Sequence, residues 1–226
     1  MAAALMGSVT GLVVGVGGSP SASAAQSVAG SSTSSGAGGS GGAGSNARSG
    51  PAAGGAAGAV GNVSKSNFVL TTSAGQEVTV DLASSTKYEK GSKSTSVSAV
   101  KKGAHVLVLG TTNGSTITAS QVIVESASSG KATTASAADV VPFQRGAPTT
   151  SKQVGDIPAN WSQGSGTIVS GTAANKATEA ALAAYPGGIV DRVVKLSNGE
   201  YNVHYIGVNW PHHVFLNQDF KVVGAE

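Results

Sequence analysis

The chain of 226 residues contains no cysteine. That excludes disulfides, thiolate metal sites, a cysteine nucleophile and a lipid anchor on cysteine. Aromatic residues make up only 4% of the sequence and charged residues 11%, while glycine alone counts 33. With so few core-building side chains, a good part of the length cannot form a packed interior, and two small modules joined by flexible segments fit better than one large globule. The net charge of +3 is spread thinly along the chain, and no segment carries the dense basic stripe that nucleic-acid binding requires. Catalytic signatures are missing too. The sequence holds no His-Glu-x-x-His and no phosphate loop, and its Gly-x-Ser-x-Gly and Gly-x-Gly-x-x-Gly strings fall only within the Gly/Ser/Ala run at 36–44, which has the strand-to-helix context of neither a nucleophile elbow nor a dinucleotide fingerprint. Serine is so frequent that a Ser–His–Asp arrangement cannot be argued. The chain is expected to be no enzyme and to hold no cofactor.

What is present falls into five segments. Residues 2–17 are mostly apolar and lead into Ala22-Ser23-Ala24, which is how a secretory signal peptide ends. Residues 1–25 are therefore expected to be a signal peptide. The first basic residue is Arg48, so the usual positive leader is lacking, which implies a start codon set too late in the gene. The stretch is also shorter than the roughly 20 apolar residues of a membrane-spanning helix, so no stable transmembrane segment is expected once the signal is removed. Residues 26–59 are almost entirely Ser, Gly and Ala and are expected to be a disordered tether.

From Val60 the pattern becomes that of strands. Phe68 and Leu70 alternate with polar neighbours, as do Val78, Val80 and Leu82, with a turn at 73–76 between them. Ser84 to Ser96 is polar and predicts a long loop. Val106-Leu-Val-Leu109 is apolar on both faces, and Asn113-Gly114 marks a turn. The last run, Ile117 to Val124, changes parity near Ser120–Gln121, which predicts a bulge there. Five such strands over 60–126 predict a small, closed or nearly closed antiparallel barrel. The glycines and valines of this stretch, with Val100-Lys-Lys-Gly103 and Val106-Leu-Val-Leu-Gly110, resemble an uncharacterised barrel family of exported bacterial proteins. The resemblance implies an OB-like barrel of unknown function. In such barrels basic loops and aromatics bind nucleic acids, but Lys87, Tyr88, Lys90 and Lys93 offer one aromatic, too little for a stacking platform.

Residues 127–165 are a linker broken by Pro142, Pro148 and Pro158, whose Val140, Val141, Phe143, Ile157 and Trp161 predict that it docks in places. Residues 166–226 form the last module. Thr172 to Tyr185 reads as a helix capped by Thr172, with Ala174, Ala181 and Tyr185 on the face opposite Lys176 and Glu179. Pro186-Gly187-Gly188 ends it. Strands are expected at Ile189–Leu196, Tyr201–Ile206, His212–Leu216 and Phe220–Val223, with turns at Asn198-Gly199, Asn209-Trp210-Pro211 and 217–219. The helix running into Ala183-Ala-Tyr-Pro-Gly-Gly188, then Arg192-Val193, Gly199 with Tyr201 and Val203, and Asp219-Phe-Lys-Val222, resembles a PepSY domain. That resemblance implies a cystatin-like helix laid across an antiparallel sheet, in its free-standing form without a peptidase. The fold class expected overall is mainly β with one α+β module.

Two sets of residues stand out. The Asn209-Trp-Pro-His-His213 turn departs from the PepSY pattern, so Asn209, Trp210, Pro211, His212, His213 and the nearby Tyr205 are the candidates for partner contact. Trp210 either anchors that partner or folds back over the small sheet. His204 and His213 are the candidates for a metal, since imidazoles on adjacent strands suit zinc or copper. Adjacent strand residues face opposite ways, so only one of His212 and His213 is expected to meet His204. The expected function is that of a secreted or cell-wall-associated, non-catalytic binding or regulatory protein. Its PepSY-like end would engage an extracellular or cell-envelope protein and restrain a peptidase. The alternatives are a metal-binding or envelope-stress module and a structural spacer of the cell wall.

Overall fold

A computed structural model of the chain describes residues 50–125, 141–142 and 152–226. All of these lie in one unit, Gly41–Glu226. The expected signal segment 1–25, the tether up to residue 49 and much of the linker fall outside the described residues. The first strands are β1 (Ala52–Val63), β2 (Asn67–Thr71), β3 (Glu77–Lys90), β4 (Lys93–Ser94), β5 (His105–Asn113) and β6 (Thr116–Val124). Then come β7 (Val141–Pro142), β8 (Val154–Gly155), β9 (Thr167–Ile168), α1 (Gly171–Ala184), β10 (Ile189–Lys195), β11 (Tyr201–Ile206), β12 (Val208–Trp210), β13 (His213–Leu216) and β14 (Val222–Ala225).

The chain is mostly β, with a five-stranded closed barrel and this one helix among the described residues. Around the barrel the order is β1-β2-β3-β6-β5, and β5 pairs back onto β1. Four of these pairings are antiparallel and β3–β6 is parallel. The expected all-antiparallel barrel is thus corrected, and the reason is parity. Five strands cannot alternate direction all the way round a closed ring, so one neighbouring pair must run the same way. The barrel interior is filled by Phe68, Leu70, Val78, Val80, Val106, Val108, Ile117 and Val122, all fully buried. The expected bulge is present: Leu109 pairs with Gln121 and Gly110 with Ala119, leaving Ser120 as the extra residue. The expected loop at 84–96 is largely strand, because β3 runs on to Lys90 and pairs its last residues, Lys87 to Lys90, with β6.

The main correction concerns the tether. Its last eight residues, Ala52–Ala59, pair along their length with β5. On the other edge β1 meets β10 at Gly55 and Ala56 and β2 from Ala59 onward. One strand therefore joins the barrel to the C-terminal sheet β10-β11-β13-β14-β8, so that the two expected modules share a continuous sheet. Three points along this strand admit only glycine. A Cβ added at Gly54 would meet the Val190 carbonyl oxygen, one at Gly55 the Val108 carbonyl oxygen, and one at Gly58 the Thr71 carbonyl oxygen.

The helix packs over this junction and spans about 21 Å. Its buried face is Ala174, Ala177, Thr178, Ala181 and Leu182, as the 100° periodicity predicts. Small residues on both partners let them approach: a Cβ at Gly55 would stand 3.2 Å from the Thr178 methyl and 3.3 Å from Leu109 Cδ2. Leu107 and Leu109, on the outside of the barrel, belong to this second core. The N-cap is Ser170, extended and making no side-chain cap bond, rather than Thr172. The Tyr185 amide still donates to the Ala181 carbonyl at 2.8 Å, and Gly187 at φ 122° turns the chain away. Gly188 leaves room for the Tyr205 ring, which a Cβ there would strike.

Two stability experiments follow from the shared strand. Gly55→Val should lower the unfolding free energy by about 3 kcal/mol or more, since neither the Val108 backbone nor the helix can withdraw. Chemical denaturation of the two proteins checks this, and equal midpoints would show that β1 is not wedged. A chain begun at Val60 lacks the strand between β5 and β10, and should lose the cooperative unfolding transition seen by circular dichroism.

Candidate functional site

The sheet face opposite α1 gathers Asp191, Arg192, His204 and His213. In β11 the parity puts Tyr201, Val203 and Tyr205 under the helix and Asn202, His204 and Ile206 on the far face. β10 carries a bulge: Val190 pairs with Tyr205 and Arg192 with His204, so Asp191 is the extra residue. Released from strict alternation, the Asp191 carboxylate turns onto His204, with Oδ1 2.6 Å from Nδ1. Its other oxygen accepts from Arg192 Nη1 at 3.0 Å. His204 in turn pairs across the strands with His213. Their ring centroids stand 5.0 Å apart, and His213 Nδ1 lies 3.2 Å from Asn202 Oδ1.

His212 precedes β13 in a bend, and its ring lies 6.1 Å from that of His204 in an edge contact. Both neighbours of His204 thus come near it, although only His213 does so by strand pairing. His212 is not held in a strand and stands farther from His204, so only His213 faces it directly. The amides of His212 and His213 both donate to the Glu226 carbonyl, at 2.7 and 3.0 Å. Trp161, from the segment before β9, covers the far edge with its ring 4.8 Å from His213 and 5.1 Å from Phe215.

The electrostatics follow from crowding. Burial, together with the His204, His212 and Arg192 charges, pushes His213 down to about 3. Burial and His204 also lower His212. Near neutral pH both rings are held without charge. Asn202, only 4% exposed, keeps an amide nitrogen without a hydrogen-bond partner beside them. Among the described residues no three His, Asp or Glu side chains converge into a ready metal cage.

The turn at 209–211 is not a turn. Gly207 at φ 80° bends the chain, and Val208–Trp210 then pairs with Val141–Pro142 of the linker. Trp210 is 2% exposed. Its indole N–H donates to the Lys152 carbonyl at 2.6 Å and its ring meets Tyr185 edge-on at 5.4 Å, with the Lys152 ammonium 4.7 Å over its face. The fold-back alternative is the one realised. Asn209 and Pro211 are buried beside it, and the Trp210–Pro211 peptide is cis. Tyr205 is fully buried under the helix, where burial raises its hydroxyl well above the usual tyrosine range. Of the six residues expected at a partner surface, only the half-buried His212 and His213 reach solvent. Sequence reasoning missed Asp191, and it expected Trp161 to dock without placing it against His213. The one sign of Asp191 was an Asp-Arg pair inside an otherwise apolar strand.

No family model matches the chain, and no curated protein or solved structure matches it.

The low histidine values make stability depend on pH. Unfolded imidazoles take up a proton near 6.5, whereas folded His213 does so only near 3. Stability is therefore full above pH 6.5 and falls as pH drops below it, by up to about 1.4 kcal/mol per pH unit for a fully linked group. Urea unfolding between pH 6.5 and 5, above the range where most carboxylates titrate, should show a smaller slope for His213→Gln than for the parent. Equal slopes would remove His213 as the cause. Trp210→Ala should cost about 3–5 kcal/mol, as for a large core aromatic, in the same measurement.

Proposed function

We infer that the chain is an exported, non-catalytic binding protein whose C-terminal half is a PepSY-like module that engages a protein partner and restrains an extracellular peptidase. The observation that carries this reading is the order of elements in that half. An alanine-faced helix lies across an antiparallel sheet, a Pro-Gly-Gly segment stops it, and four strands, β10, β11, β13 and β14, follow as a meander. This is the arrangement that the resemblance to PepSY domains implies. The closed barrel ahead of it supports the OB-like reading, and its role is to carry the module and display it. No helix among the described residues is long and apolar enough to cross a membrane. The leader-like residues 1–25 support export to the cell surface or beyond.

The burial of Trp210 moves the contact surface away from 209–211. β8 ends the C-terminal sheet, and its Val154 is 39% exposed. A partner strand added at this edge would extend the sheet through backbone hydrogen bonds.

The test uses the full chain and a panel of secreted thermolysin-like metallopeptidases, with binding and residual activity both measured. At least one enzyme should bind with a Kd below about 1 µM and be slowed. Val154→Lys should weaken that binding about tenfold with the melting temperature unchanged. Absence of both binding and inhibition across the panel would remove the peptidase reading.

A further inference from the structure

We propose that His204 and His213 form a two-imidazole site for a late first-row divalent metal ion, with copper(II) preferred. The site stands on the far face of the C-terminal sheet alone and does not depend on a protein partner or on the PepSY-like reading.

Both rings are held in the state that binds a metal. Each Nδ1 faces an acceptor: the Asp191 carboxylate at 2.6 Å for His204 and the Asn202 carbonyl oxygen at 3.2 Å for His213. Each ring therefore carries its proton on Nδ1 and leaves the Nε2 lone pair free. An outer hydrogen bond on one nitrogen, often from a carboxylate, is how metal-binding histidines are oriented and made more basic.

The spacing of the rings also fits. A nitrogen about 2.0 Å from a metal puts the ring centroid roughly 3.2 Å from it, so two rings at 90–110° stand about 4.5–5.2 Å apart. The 5.0 Å between His204 and His213 falls in that range, on strands whose register fixes it. His212 does not. Its 6.1 Å from His204 needs an angle far wider than a tetrahedron allows, consistent with the absence of a three-residue cage. A closed tetrahedral zinc site is therefore disfavoured.

Copper(II) tolerates a tetragonal set of two adjacent nitrogens completed by solvent, and imidazole binds it more tightly than the neighbouring divalent ions. Arg192 faces His213 and opposes any cation, but its guanidinium is paired with Asp191.

The experiment titrates the full chain with copper(II) and, separately, with zinc(II) at pH 7.5, by calorimetry and by the emission of Trp161 and Trp210. Copper should bind one to one, more tightly than zinc, and quench Trp161, whose ring lies 4.8 Å from His213. The paramagnetic resonance spectrum of the copper form should carry splittings from two imidazole nitrogens. His204→Gln and His213→Gln should each weaken binding at least tenfold. Asp191→Asn, which acts through His204, should weaken it about tenfold with both rings still bound. His105→Gln, on β5 of the barrel, should leave it unchanged. Where a variant fails to fold, the nitrogen count in the parent decides. No saturable binding, a spectrum without two imidazoles, or affinity that survives loss of both His204 and His213 would overturn the site.

Discussion

The fold depends on how closely three layers of backbone can approach at β1. Its glycines and alanines lie between β5 on one edge and β10 and β2 on the other, with α1 across one face. Any side chain at Gly54, Gly55 or Gly58 would strike a carbonyl oxygen of a neighbouring strand. The same smallness recurs on the helix, where Ala174, Ala177 and Ala181 face the sheet. Neither core could close without it. The barrel would have no strand to join β2 to β5, and the helix would stand off the sheet it covers.

From this junction the far face of the C-terminal sheet is positioned almost mechanically. β1 holds β10 at Val190, and the bulge that follows turns Asp191 and Arg192 toward β11. Register then sets His204 opposite His213. The polar side chains that result are crowded enough to keep two imidazoles uncharged. That gives the sheet a helix-covered, apolar side and a side with chemistry.

Much of this was legible in the sequence, and the illegible parts have physical causes. Alternation needs contrast between large apolar and polar residues. Phe68, Leu70, Val78 and Val80 have it, and the parity change at Ser120 was enough to place a bulge. Ala52–Ala59 has no contrast at all, so a buried strand looked like a flexible tether. One sign was in view: Val106-Leu-Val-Leu109 is apolar on both faces, which a barrel with a bare exterior does not need. Leu107 and Leu109 are covered by the helix some seventy residues later. At the candidate site, the His204–His213 pairing could be counted along the strands. The approach of Asp191 could not, because a bulge sets it, and the burial of Trp210 could not, because it rests on the distant Lys152 carbonyl and the Tyr185 ring.

The composition of β1 also bears on synthesis. This strand leaves the ribosome before every partner it will have, and its contact on β10 lies about 135 positions downstream. A strand that must wait so long is ordinarily a hazard, since an unpaired apolar segment recruits other chains. Alanine and glycine expose little that is sticky, and glycine resists ordering until a neighbour fixes it. The residues that let three layers close together at the end are thus also those that keep the first-made strand harmless until then.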